Sequence, residues 1–387
     1  MQHYRRAVPA ILFLLFAAFS TVSKVVADDD SVLKNLHTVS TLASTVPANG
    51  DVNPYGVARV EKTIGRLTEG HILVSNFNNF GNAQGTGTSI VDIAPDGSVT
   101  LFAQISPSSV PGACPGGIGL TTALVVLRTG WVIVGSLPST DGTAATAQAG
   151  CLIVLNSSGS PVETFFGSLI NGPWDMTSFE SSNRAWLFVT NVLNGTVAAN
   201  GSVVDQGTVL RINLGVSESA MPWIESMTII GSSFPERTDP AALVIGPTGV
   251  ALSPTSCVDS EDDCRALWER EGEPNLYVAD TLNNRITVIP RAITRDHSDG
   301  TGTTLSSGGS LNGPLGVTVT ESGHILTVNS GDGYITEIAA TGKQIAKALL
   351  DSSGSPAGAG ALFGLIYETG RGVIFVDDAT NTLNLFH

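Results

Sequence analysis

Eight polar side chains recur at matching places along this chain: Asn53, Asn76, Asp175, Asn191, Asp280, Asn329, Asp377 and Asp378. Each stands where one apolar run ends or the next begins. Carboxylate and amide oxygens are the ligands that Ca²⁺ and other hard divalent cations take. Converging from several segments, such groups make a cation site. Turned back on their own loops, they only hold turns, a common use of Asp and Asn. Asp175, in "GPWDMT", stands apart, because the matching stretches elsewhere place Gly, Leu or Phe at or near that point. Other chemistries lack their residues. His37, His71, His297, His324 and His387 include no two at zinc-ligand spacing. No Gly-x-Ser-x-Gly elbow is present, and the Gly-rich stretches lack the P-loop lysine. The acidic run "DSEDD", Asp259–Asp263, has neither the sixth-position Gly nor the distal Glu of a calcium-binding EF-hand and reads as a solvated loop.

The elements that must position these side chains form a repeat. A start signal recurs as "NPYGVARV", "GGIGLTTALVV", "GPWDMTSF", "GPTGVALS", "GPLGVTVT" and "GALFGLIYE". A second apolar run follows each, such as "HILVSN" or "NLYVAD", and then a third, such as "SIVDIAPDG" or "RITVIP". Five units continue to a fourth run, while the sixth stops after three at His387. Leu36–Ser44, "LHTVSTLAS", alternates like a strand and can supply the missing one. The expected fold is all-β: a six-bladed β-propeller of four-stranded antiparallel blades, its ring closed by the N-terminal strand. A sandwich or a parallel β-helix explains neither the four-strand period nor the three-strand last unit.

The first 27 residues read as a secretory signal, with a basic start, an apolar run and a Val-x-Ala site ending at Ala27. Residues 28–387 then form a single propeller domain, exported to the periplasm or secreted, with no further membrane span and expected to be a monomer. The formal net charge of −15 falls by three, to −18, when Arg5, Arg6 and Lys24 are removed. So acidic a surface excludes nucleic acid as a partner and favours cations. Four cysteines in an exported chain suggest two disulfides. Asn156, Asn194 and Asn200 begin glycosylation sequons.

"GPTGVAL" followed by "NLYVADTLNNRITVI" closely resembles the NHL repeat, and "GPLGVTVTESGHILTVNSGDGYITEI" matches well. The other units are degenerate. The resemblance implies a propeller related in architecture to gluconolactonase-like and TolB-like proteins, a group that includes lyases, lactonase-like hydrolases and non-catalytic binding modules. It therefore implies no single reaction. The lactonase-like relatives imply a divalent metal at the channel mouth. Asp175, Asn76, Asn191 and Asp377 are the ligand candidates here, with Ca²⁺ the ion such oxygens favour. No other cofactor is implied.

In a propeller, strand a starts at the top face beside the channel, and the b–c loops return to that face. Cys114 and Cys151 then both fall at the top, while Cys257 and Cys264 share one a–b insertion at the bottom, so Cys114–Cys151 and Cys257–Cys264 are the expected pairs. Blades one, two and three carry long b–c loops, with Asn78, Gln84, Gln148 and Gln206 as candidate ligand-binding residues. "YVADTLNNRI" becomes architecture: Asn283 or Asn284 takes positive φ, and Arg285 reaches back to Asp280. Two functions fit: a module that binds a protein or small molecule on its top face, or a metal-dependent lactonase-like hydrolase or lyase at the top mouth. A purely structural role is the third.

Overall fold

The computed structural model describes residues 31–255, 264, 268 and 272–387. The expected signal segment, Asp259–Asp263 and Cys257, and with it the Cys257–Cys264 pairing, lie outside the described residues. The chain forms six antiparallel sheets whose first strands surround one channel. Blade one holds Val52–Arg59, Ile72–Asn78, Ser89–Ile93 and Val99–Gln104; blade two Leu120–Val126, Val132–Ser136, Cys151–Leu155 and Pro161–Phe165. Blade three begins with Pro173–Ser181 and Arg184–Asn191. Blade four holds Pro247–Leu252, Leu276–Asp280, Arg285–Ile289 and Thr303–Ser307; blade five Pro314–Val319, Ile325–Asn329, Tyr334–Ile338 and Gln344–Leu349. Blade six has Leu362–Glu368, Gly372–Asp377 and Thr382–Phe386, and Val39–Ser44 pairs onto the last of these, closing the ring as expected. Pairing both chain ends into one sheet leaves no open junction. Strand b is buried along nearly its whole length in every blade, consistent with its runs of Val, Ile, Leu and Phe.

Blade three departs from the four-strand plan. Its third and fourth strands, Val204–Gly215 and Trp223–Asp239, are long, and a fifth, Leu243–Ile245, pairs with the end of the fourth. Together with the long loops of blades one and two they build a crown over half of the top face. Gln84 Nε2 donates to Ala241 O, and Ser139 Oγ donates to Gln84 O, so the loops pack on one another. The expected Cys114–Cys151 bond ties the link into blade two to the start of its strand c.

In all six blades the a–b register shifts just after strand a begins: after Pro54, Leu120, Pro173, Pro247, Pro314 and Leu362. The bulge turns strand a toward the channel. Hydroxyls on strand b fill two of the gaps and stitch neighbouring blades. Ser75 Oγ accepts from Gly56 N and donates to Thr121 O of blade two. Thr190 Oγ1 stands at the matching place, accepting from Asp175 N and donating to Thr248 O of blade four.

The glycine of the repeated start signal has a packing cause. A Cβ on Gly249 would lie 2.2 Å from Leu315 O, on Gly316 2.1 Å from Phe363 O, and on Gly364 2.3 Å from Tyr55 O. In blades four, five and six strand a therefore touches the backbone of the next, which narrows the channel to a waist.

Ahead of the ring-closing strand, Ser31–Leu36 fold onto blade five. Buried Glu337 accepts from Ser31 Oγ, Val32 N and Leu33 N, and pairs with His324 Nδ1 at 2.8 Å. Leu33 adds its side chain to the apolar cluster between blades five and six.

Candidate binding channel

The channel is built in layers, and each blade contributes one residue of strand a to each. The top layer is Tyr55, Thr121, Trp174, Thr248, Leu315 and Phe363. Tyr55 stacks on Phe363 with ring centroids 3.9 Å apart and on Phe77 at 4.5 Å, and Trp174 lies 6.3 Å from Phe363. Leu243 and Val244 of the crown join the same cluster. The mouth expected to be open at the top is therefore filled with rings, and a cavity of about 40 Å³ lies among them. Burial holds the Tyr55 hydroxyl well above its ordinary pKa, with Asp378 adding to the effect.

Below the rings lies the waist of Gly56, Gly249, Gly316 and Gly364. Blade two is one residue longer here and places Thr122 and Ala123 in its bulge. Blade three places Asp175 where the other blades have glycine. From the waist to the bottom face, the a–b turn side, runs a cavity of about 470 Å³, within the usual range for small-molecule sites. Thr122, Asp175, Gly316 and Gly364 line its inner end; Arg59, Glu61, Arg128, Glu180 and Glu368 line its mouth.

Asp175 is the inner end's one carboxyl. Its Oδ2 accepts from Val250 N of blade four at 3.0 Å, and Met176 N also contributes to holding it. Burial nevertheless pushes its pKa up to about 7, because two backbone donors do not replace lost water. Thr122 Oγ1, also buried, has no hydrogen-bond partner. At the mouth, Glu180 accepts from Arg128 N with both oxygens, and burial likewise pushes it up to about 7. Arg59 is taken up by Glu61 and Glu368, at 2.7 and 2.9 Å.

The structure separates the sequence-predicted metal residues. Asn76, Asn191 and Asp377 occupy equivalent places, each opposite the residue just before the strand a bulge. Asn76 Nδ2 donates to Thr45 O and Ser89 Oγ; Asn191 Oδ1 accepts from Asn171 N; Asp377 Oδ1 accepts from Thr380 N. Ser136 and Asn329 fill the same place in blades two and five and hold the incoming links through Gly119 N and Asn312 N. In blade four the place belongs to Asp280, whose Oδ2 accepts from Arg285 Nε, while Asn284 takes positive φ. Asp175 lies two residues further along strand a, beyond the ring layer. Among the described residues no three His, Cys, Asp or Glu side chains gather to hold a metal ion. These residues do not supply the six to eight oxygens of a Ca²⁺ site.

The loop candidates are also spread. Asn78 is buried with its Nδ2 donating to Asn82 Oδ1, and Gln84 bonds within the crown. Gln148 and Gln206 are exposed. Sequence reasoning singled out Asp175 but missed Glu180, Arg128 and Thr122. Their signal was the register: all lie on strand a or just past it.

No family model and no curated protein matches the chain. Solved structures do match. A gluconolactonase from Xanthomonas campestris is 11% identical, with 90% of this chain and 88% of that one covered, at a TM-score of 0.51. Regucalcin, a calcium-binding protein from Agrobacterium tumefaciens, is 12% identical over 88% and 92%, at 0.51. A luciferin-regenerating enzyme is 9% identical over 90% and 94%, also at 0.51. This chain shares their fold. Described helices include none long and apolar enough to cross a membrane.

Proposed function

We propose that the protein takes up a small polar molecule through the bottom face of its channel and holds it against Asp175. The observation that carries this reading is the placement of Asp175: a buried carboxyl at the inner end of the large cavity, in a position where four other blades have glycine. A side chain at the tightest level of the fold is costly unless it is used. The top face supports ligand binding less, because its loops pack on each other and rings fill its centre.

A second reading is turnover. A carboxyl titrating near 7 suits a general acid or base, and a gluconolactonase has the same fold. In that reading Asp175 accepts a proton from the water that adds to the carbonyl carbon of a lactone or other ester, the acyl C–O bond breaks, and the proton passes from Asp175 to the leaving alkoxide. The chain's residues do not fit a Ca²⁺ ligand set, so no step is assigned to a metal.

Thr318 lines the channel wall away from Asp175 in sequence and blade, and Thr318→Trp would narrow it between the mouth and the waist. A panel of small sugars, lactones and amines, screened by thermal shift, should stabilise the wild type and Gln84→Ala but not Thr318→Trp. Stabilisation that survives Thr318→Trp and disappears in Gln84→Ala would place the ligand in the crown and overturn the reading. Hydrolysis of a lactone from the panel, absent in Asp175→Asn, would establish turnover.

A further inference from the structure

We propose that the molecule the channel takes carries a protonated amine, seated at the waist against Asp175 and Thr122. This rests on the channel reading above and names the chemical class of its ligand.

The first reason is the company Asp175 keeps. A buried carboxylate is normally matched by a cation or neutralised. Among the described residues, backbone N–H groups alone reach it, from Val250 and Met176. No Lys, Arg or His is paired with it among the described residues. The strands packed around it leave it alone as well. Strand a of blade four, on one side, has no charged residue. Strand a of blade two, on the other, reaches its first charge only at Arg128, beside the mouth. Strand b behind it has Arg184 only at its far end, bonded to Glu225. Across the channel, Arg59, Glu61 and Glu368 lie at the mouth and pair with one another.

The second reason is the match of donors to acceptors. An ammonium has three donors and no acceptor. A carboxylate receiving two backbone bonds still has lone pairs to offer, and Thr122 Oγ1, at the same end of the cavity, is buried without a partner. A ligand carboxylate would instead meet a like charge at the waist wherever Asp175 is ionised.

The third reason is the approach. The whole chain carries −15, which draws in a cation and repels an anion.

The test uses three isosteric probes, n-butylamine, 1-butanol and butyrate, titrated calorimetrically into the purified protein at pH 6 and pH 8.5. n-Butylamine is a cation at both. Because Asp175 titrates near 7, its ionised fraction rises about tenfold over this range, and amine affinity should rise by about the same factor both in the wild type and in Glu180→Gln, which removes the cavity's other carboxyl raised to about 7. Binding at pH 6 should release close to one proton, read from the heats in two buffers of different ionisation enthalpy. Asp175→Asn should lose the amine and keep any 1-butanol binding. Equal affinity for amine and alcohol, preference for butyrate, or no proton release would overturn the inference. The proton count needs only the wild type, so it decides even if Asp175→Asn fails to fold. If the alcohol or a neutral lactone binds in the channel and the amine does not, the amine is wrong and the channel reading stands. If Thr318→Trp leaves every probe's binding unchanged, the channel reading itself fails.

Discussion

Asp175 of blade three accepts a hydrogen bond from Val250 N of blade four, Oδ2 to N 3.0 Å, at the level where glycine lets the other blades touch backbone to backbone. One carboxyl thus both joins two blades and ends the channel. The two roles separate on substitution.

Asp175→Asn keeps an oxygen for Val250 N and removes the titration. The folded carboxyl is raised from 3.8 to about 7. Between these values the unfolded chain has lost a proton that the folded chain keeps, so wild-type stability falls as pH rises and the loss is complete above about 7. The variant escapes this. Its stability advantage should be near zero at pH 4 and grow to at most about 4 kcal/mol at pH 7.5. Denaturant titrations of both proteins across that range check it, and a pH-independent difference would show that Asp175 is not buried in this way.

Gly316→Ala should be far worse than its size suggests. The added Cβ meets Phe363 O at 2.1 Å, a backbone atom that cannot turn aside, and Leu365 Cδ2 at 2.7 Å. A loss of about 2–4 kcal/mol is expected, as for overpacked interiors. Thr122→Ala, at the inner end of the cavity, removes an unpartnered hydroxyl and should cost under about 1 kcal/mol. Chemical denaturation of the pair gives the contrast. Equal losses would mean that the waist is not tight.

Much of this was legible in the sequence, and the waist shows both how and where that stopped. The repeated Gly of the start signals gave six units, and the three-strand last unit called for a partner that Val39–Ser44 supplies. The placement of Cys114 and Cys151 at one face gave their bond. The polar residues ending strand b were legible as a set but not in their use. Asn76 and Asn191 hold the links into strand a through Thr45 O and Asn171 N, and Asp377 holds its own b–c turn through Thr380 N, tasks that depend on backbone groups no side-chain pattern reveals. Nor did the pattern of aromatic residues show that Tyr55, Trp174 and Phe363, far apart in the chain, meet on one axis and fill the top. The fifth strand of blade three was missed because its three residues are too short to form a period.

Glu337→Ala should release the N-terminal clasp. Three donors from Ser31, Val32 and Leu33 lose their common acceptor, and each charged hydrogen bond is worth about 1.5–3 kcal/mol. Amide exchange at Val32 and Leu33 should become fast, while His37, Thr38 and Val39–Ser44 stay protected by their pairing with blade six. Unchanged protection at Val32 and Leu33 would mean that Glu337 does not anchor them.

Replacing Cys114 and Cys151 with Ala should cost about 4 kcal/mol if the bond acts by chain entropy over its 37-residue separation. Thermal unfolding of the variant and the oxidised wild type measures it. Ligand binding in the channel should survive, because the bond lies at the top face and the opening at the bottom. Loss of binding with the fold intact would point to the crown instead.

The central claim is that a small molecule enters from the a–b turn face and ends at Asp175. The most direct measurement is a crystal structure of the protein soaked with small polar fragments. The account predicts bound density in the cavity lined by Thr122, Asp175 and Thr318, with a ligand polar atom within hydrogen-bond distance of the Asp175 carboxyl. Fragments found only among the long loops around Gln84 and Gln206, with the channel holding solvent alone, would contradict it.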